Sequence, residues 1–189
     1  MDSISASIWL GIAFLIGLFV GRSRSRHASK SIQTESERLV TETIESYFPS
    51  DDFHLLNHVT LPMEDGTTQI DHILVTRFGV FVIETKNPKG WIFASDEGKK
   101  WTQVLYRLKF PFQNPLLQNK RHVQAVRDLL GLLQSHAIKP IVIFTGSATF
   151  KTEVPKGVFR LEDFVKYLSY QFEELMSLNR VQFSVGRLE

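Results

Sequence analysis

The sequence contains no cysteine, which excludes disulfides and any zinc site built on thiolates. Its six histidines never fall in an HExxH-like spacing, so a zinc hydrolase of that kind is excluded as well. Neither sign of charge dominates, since 22 Lys and Arg face 20 Asp and Glu across 189 residues. A protein that coats nucleic acid by bulk charge needs a far larger basic excess, although a grip on a few phosphates stays open. Internal repeats and low-complexity tracts are absent too. With 43% hydrophobic residues, the chain can build the core of one ordinary domain with a little left over.

Two absences are local. From Ser3 to Gly21 (SISASIWLGIAFLIGLFVG) there is no charged residue, and 19 helical residues extend about 28 Å, close to the ~30 Å hydrocarbon core of a bilayer. The next nine residues hold Arg22, Arg24, Arg26 and Lys30 and no acid. A cleaved signal peptide carries its bases before the apolar run and a small-x-small site after it, and neither is found. The segment therefore reads as a single-pass anchor in the cell membrane, with the Arg-rich side and all that follows in the cytoplasm. Gly17 and Gly21 form a GxxxG pair, a route to a homodimer. The expected organisation is an anchor over 1–21, a basic juxtamembrane linker over 22–30 and one domain over 31–189. That last part is nearly neutral, with 18 bases against 19 acids.

What the chain does have is a charged cluster in an apolar hairpin. Thr68–Lys86 (TQIDHILVTRFGVFVIETK) reads as two strands joined at Arg77-Phe78-Gly79. Period-2 alternation puts Glu84 and Lys86 on one side with Val80 and Val82, and Asp71 on one side with Ile73 and Val75. Charges in such surroundings are normally paired or bound to metal. Asp and Glu are hard oxygen ligands suited to Mg²⁺ or Mn²⁺, and a neighbouring lysine can position water and offset developing charge. Asp71 and Glu84 are the candidate metal ligands and Lys86 the candidate catalytic lysine. The structural alternative is a salt bridge between Lys86 and one acid, which leaves the other carboxylate without a cation.

The remaining pattern surrounds this hairpin. A helix is expected over Ser31–Tyr47, with Val40, Ile44 and Tyr47 as its buried stripe and Glu37 falling on that stripe. Phe53–Leu61 reads as a strand and Glu64-Asp65-Gly66 as a turn. Short strands follow at Trp91–Phe93 and Trp101–Leu108, their tryptophans read as packing residues of a β-meander. Asn114-Pro115 is a helix start, Asn as N-cap and Pro at N1, for a helix reaching about Ser135. Gln118 and His122, four apart, share a face of it. Pro140–Thr145 suits a strand covered on both faces, Val158–Arg160 an edge strand, and Leu161–Leu178 a final helix lined by Phe164, Leu168 and Phe172. The order indicates an α/β domain with a mixed central sheet.

Taken together, Glu37, Gln69-Ile70-Asp71-His72, Gly79 to Asn87 with its Glu84-Thr85-Lys86, Gly90, Trp101 and Asn114-Pro115-Leu116-Leu117-Gln118-Asn119 resemble the nuclease-related domain of the PD-(D/E)XK nuclease superfamily. The match covers about residues 31–145, with Ser36-Glu37 where the family usually has Gly-Glu. The resemblance implies a restriction-endonuclease-like fold, a four-stranded mixed core flanked by helices. It implies Asp71 and Glu84 as ligands of Mg²⁺ or Mn²⁺, and Lys86 as catalytic base or water-positioning residue. Glu37 would be a supporting acid, and Gln118 would contact the site or substrate. The activity expected is metal-dependent hydrolysis of nucleic acid, DNA ahead of RNA. A tethered binding module without turnover, for nucleic acid or protein, is the other reading.

Overall fold

A computed structural model describes residues 33–48, 52–131, 135–171 and 173–189. The expected anchor, linker and GxxxG pair lie outside these residues, as does Phe172. Among the described residues, no helix is long and apolar enough to cross a membrane. Residues 36–189 form one compact unit.

The first helix (α1) occupies residues 33–47. Val40 and Ile44, one turn apart, are completely buried, whereas Tyr47 is 66% exposed. The expected third member of the stripe is thus on the surface. Phe48 takes its place, tied to the helix by its N–H to Ile44 O at 2.9 Å and stacked on Phe53 with ring centroids 4.9 Å apart.

Strands β1 (Phe53–Met63), β2 (Gly66–Thr76) and β3 (Gly79–Lys86) form an antiparallel run. The β2–β3 turn is tight: Thr76 Oγ1 accepts from Phe78 N–H and donates to Gly79 O. Gly79 has φ of 130°, and a Cβ there would stand 2.6 Å from Ala137 O, so only glycine fits. The chain then makes a long excursion, including the helix α2 (Pro115–Leu130), before β7 (Ile138–Phe144) pairs parallel to β3. β9 (Val158–Arg160) pairs parallel to β7 at the edge. The main sheet has the order β1-β2-β3-β7-β9.

Helices cover both faces of this sheet, as its apolar central strands require. One face packs Ile73, Val75, Val80 and Val82 under Val123 and Val126 of α2 and Val181 and Leu188 of α4 (Leu178–Leu188). The other packs Leu74, Phe81, Ile83, Ile141 and Ile143 under Val40 and Ile44 of α1 and Phe164 and Leu168 of α3 (Leu161–Ser169).

The excursion between β3 and α2 builds a second sheet, β6-β5-β4-β8, from β4 (Trp91–Phe93), β5 (Lys100–Leu105), β6 (Leu108–Gln113) and, later in the chain, β8 (Thr149–Phe150). Its inner face, with Ile92, Trp101, Phe112 and Phe150, closes on Val142 and Phe144 of the main sheet. The architecture is therefore two mixed sheets flanked by helices, in place of the four-stranded core expected.

Two element expectations are corrected as well. Trp101–Leu108 is not one strand but the β5–β6 hairpin. It reverses at Tyr106 and Arg107, both with positive φ, 46° and 73°, where Gly, Asn or Asp would have signalled a turn. The expected helix over Leu161–Leu178 breaks after Ser169. The N–H groups of Leu175 and Met176 donate instead to Arg77 O at 2.8 and 3.0 Å, which pins this connection to the β2–β3 turn. Ser177 then caps α4.

Candidate active site

Asp71, Glu84 and Lys86 meet where the β2–β3 ladder opens. Paired residues run from Thr76 and Gly79 to His72 and Ile83. One step further, Asp71 leaves the ladder pattern, and its Oδ2 accepts from Thr85 N–H at 2.7 Å. A side-chain acceptor thus satisfies a backbone donor that the opening strand pair would otherwise leave unmatched. On the other side of β2, the β1 register passes from Asn57 with His72 to Val59 with Ile70. His58 lies between them in a left-handed conformation, φ 55°. A histidine held there is strained. Its ring approaches the helix α1, with Nδ1 3.7 Å from Glu37 Oε2.

Glu84 is the most enclosed member, 2% exposed, and both its oxygens are held. Oε1 accepts from Lys86 Nζ and from Gln118 Nε2, the latter at 2.7 Å. Oε2 lies 3.0 Å from His122 Nε2, and Nδ1 of the same ring lies 2.8 Å from Thr68 Oγ1. A proton on His122 Nε2 lets the ring donate to the carboxylate while Nδ1 accepts from the Thr68 hydroxyl. Lys86, a quarter exposed, leads from this buried knot toward solvent.

The start of α2 is fixed with equal care. Asn114 is buried; its Oδ1 accepts from Leu116 N–H at 2.9 Å, and its Nδ2 donates to Ser95 O and Gly98 O. One turn on, buried Asn119 donates from Nδ2 to Val82 O at 2.9 Å and to Ile141 O at 2.7 Å. These bonds join the helix to β3 and β7, so Gln118 and His122 reach Glu84 from a rigid base. That rigidity is what a preorganised site requires.

The two carboxylates differ in charge state. Burial, then the neighbouring charge of Glu84, push Asp71 from 3.8 up to about 7, against the pull of Thr85 N–H; Glu37 adds to the rise and Lys86 opposes it. Burial acting alone would raise Glu84 too. The hydrogen bond from His122 and the ammonium of Lys86 outweigh it and hold Glu84 below its ordinary value. The site thus keeps one fixed negative charge at Glu84 and a second carboxyl, Asp71, poised to lose its proton near neutrality. The salt-bridge alternative describes Lys86 and Glu84 but leaves Asp71 without a cation.

The expected site residues fall as follows. Asp71, Glu84, Lys86 and Gln118 come together, and Glu37 lies near enough to act on Asp71 through its field. His122 and His58 join them. His122 was signalled by its helical spacing from Gln118, whereas nothing in the sequence marked His58. His72, on the opposite face of β2, is buried and bonded to Asn57 Oδ1 at 2.8 Å; burial first, then His58, lowers it to about 4, so it is a neutral core residue. A cleft of about 770 Å³ lies between α1 and α3 and is lined by none of the three central residues; one of its lining residues, Thr145, donates its N–H to Lys86 O.

Among the described residues, no three His, Asp or Glu side chains close on a common point as a complete metal cage. Two adjacent carboxylates instead fit an ion that takes one or two protein oxygens and keeps several waters, as Mg²⁺ does. Burial and the neighbouring Glu84 suppress the charge on Asp71, and a cation held beside the two carboxylates would relieve that suppression.

The model of the nuclease-related domain matches residues 32–145. This chain belongs to the nuclease-related domain family. The matched span holds Glu37, Asp71, Glu84, Lys86, Gln118 and His122. An uncharacterised protein of Bacillus anthracis is 42% identical over 106 residues, 56% of this chain and 50% of the relative, so the chain spans half that relative's length. A crystal structure of a protein of unknown function aligns with a TM-score of 0.34 and 11% identity, over 79% of this nuclease-related chain and 65% of the other.

Proposed function

We propose that this nuclease-related protein hydrolyses phosphodiester bonds of nucleic acid, DNA ahead of RNA, using Mg²⁺ or Mn²⁺ held by Asp71 and Glu84 in a restriction-endonuclease-like site. The observation that carries the reading is the carboxylate pair itself. Burial and the charge of Glu84 together push Asp71 up to about 7, beside a lysine that reaches solvent. A stability-driven core gains nothing from such a pair. When bound, the metal ion would polarise a phosphoryl oxygen and lower the pKa of a coordinated water.

The chain's own groups do the rest. Gln118 and His122 fix the rotamer of Glu84 by holding one oxygen each. Thr85 N–H fixes Asp71. Lys86 Nζ, on the solvent side of Glu84, positions the attacking water and offsets charge building on the phosphate. Glu37, from α1, adds an acidic group whose field reaches Asp71 and which would accept a hydrogen bond from water at the site. In this proposal the domain faces the cytoplasm from a membrane anchor in residues 1–21, and paired anchors bring two domains together.

One observation favours the second reading, a binding module without turnover. Both oxygens of Glu84 are already engaged by protein donors. The deciding experiment incubates the full chain with labelled single- and double-stranded DNA and RNA in Mg²⁺, Mn²⁺ or EDTA. Cutting that needs metal and disappears in Glu84→Ala and Lys86→Ala supports the nuclease. Cutting that persists in both variants overturns it. Binding with no cutting under any condition establishes the module.

A further inference from the structure

The second sheet turns one face to the core and the other to solvent, and the solvent face is unusual in composition. With Ile92 and Trp101 inward, alternation places Trp91 and Phe93 outward, together with Val104 of β5 and Lys109 of β6. Trp91 stands opposite Val104, and Val104 opposite Lys109. Trp91 is 52% and Phe93 41% exposed, whereas tryptophan is on average highly buried. The expectation that both tryptophans pack the interior therefore fails for Trp91. Lys151 Nζ sits 4.7 Å from the centroid of its ring. Strands β4, β5, β6 and β8 carry Lys100 and Lys109 and not one Asp or Glu.

A cleft of about 630 Å³ opens at this ring, lined also by Lys89, Val104, Tyr106 and Arg107 and by no acid. The basic side chains in ion pairs among the described residues are those of Arg38, Arg77, Lys86, Arg121 and Lys166, with two histidines. Lys89 and Arg107 are in none of these pairs.

We propose that this face is a stacking platform for the unpaired bases of a single-stranded nucleic acid, with Trp91 taking a base and Lys89, Arg107 and Lys109 taking phosphates. Exposed rings interleaved with bases of one sign are the means by which proteins hold single strands. Duplex bases have their faces covered by neighbours, so the rings select an unpaired strand. A second copy of this chain suits the face less well. A two-fold contact would set its lysines against one another, whereas contact centres are depleted of charge.

The platform is also close to the candidate active site. Only residues 87–90 separate Lys86 from Trp91, which limits their Cα separation to roughly 18 Å. Gly90, at φ 76°, makes the sharp turn into β4; a Cβ there would lie 2.3 Å from Val104 O. For cleavage of the bound strand the proposal rests on the nuclease reading. Binding does not.

The test measures binding by the full chain in EDTA, where metal-dependent turnover plays no part. Probes are a fluorescent single-stranded DNA, the same sequence as RNA, and the same sequence closed into a duplex. Trp91→Ala is expected to weaken single-strand binding at least ~5-fold while leaving duplex binding unchanged, and Trp91→Phe to restore most of the loss. Replacing both Lys89 and Arg107 with Ser should lower the salt slope for the single strand by about 1.4. Either sugar supports the platform, and the ratio of the two affinities names the source. No binding, equal loss on single strand and duplex, or a chain dimer that Trp91→Ala dissociates would each overturn it. Cleavage in Mg²⁺ is scored separately. Intact cleavage with Trp91-insensitive binding removes the platform and leaves the nuclease, and Trp91-sensitive binding without cleavage does the reverse.

Discussion

The main sheet hides polar groups that solvent would stabilise, and the second sheet shows solvent apolar groups that a core would stabilise. At the open end of β2 and β3, Glu84, His122 and Asn119 are almost fully enclosed, and each is tied by hydrogen bonds to another element. On the outer face of β4, Trp91 and Phe93 stand in water. The two arrangements depart from ordinary burial in opposite directions, and each departure has its own physical meaning. A buried, fully bonded carboxylate is preorganised: its geometry is set before any ligand arrives. An exposed ring set among lysines is incomplete until something flat and anionic covers it. Chemistry is expected from the first region and grip from the second.

The largest effect that would break this comparison lies at Glu84. Glu84→Ala should reduce cleavage about a thousandfold or more, within the range set by loss of one catalytic group. It should also destabilise the domain by about 3 kcal/mol, because Lys86, Gln118 and His122 lose their common acceptor. Glu84→Gln keeps an acceptor oxygen and should lose activity as fully with a smaller stability loss. Cleavage kinetics beside urea denaturation separate the two effects. Equal stability losses in both variants would mean that the carboxylate's charge, not its hydrogen bonding, holds the knot together.

Next in size is the contrast between two tryptophans on opposite faces of one sheet. Trp101 is buried against Phe144 and donates from Nε1 to Ser95 O at 2.8 Å. Trp101→Ala should cost about 3–5 kcal/mol. Trp91→Ala should stay within about 0.5 kcal/mol, as surface substitutions do. Thermal or urea melts of the two variants give the answer directly. A loss at Trp91 comparable with that at Trp101 would show that the outer face is structural and that the rings serve packing.

Much of the first region was legible in the sequence, and little of the second. Parity along β3 put Glu84 and Lys86 on one side, and in the structure they are paired. The Asn114-Pro115 helix start and the i, i+4 spacing of Gln118 and His122 were equally plain, because helix caps and periodicity are local. His58 was hidden, since a left-handed histidine in the middle of a strand leaves no compositional trace. Tyr106-Arg107 was hidden for the same reason: the hairpin uses positive φ without glycine. The second sheet is completed by β8 joining β4 across more than fifty residues, a pairing that no local pattern encodes. The exposure of Trp91 follows from that sheet, and so it was out of reach as well.

The smallest expected effect tests the charge state of the carboxylate pair through stability alone. Asp71 is raised from 3.8 to about 7 in the folded chain. Between those values the folded protein keeps a proton that the unfolded chain has released, so this group's contribution to stability falls as pH rises from about 4 to about 7 and is flat beyond. Glu84, held low, acts in the opposite sense and loses its contribution only as the solution becomes acidic. Asp71→Asn removes the first effect and keeps an acceptor for Thr85 N–H. The variant should match the parent near pH 4 and exceed it at pH 8 by on the order of 2 kcal/mol, less than the full shift implies because the site is partly open to solvent. Magnesium should then narrow the gap at pH 8, since an ion bound by the folded parent stabilises it by mass action and the variant has lost one ligand. Urea titrations at the two pH values, with and without Mg²⁺, decide the matter. Parallel stability curves for parent and variant would mean that Asp71 is ionised without strain, and that the pair lacks the electrostatic tension on which the metal assignment rests.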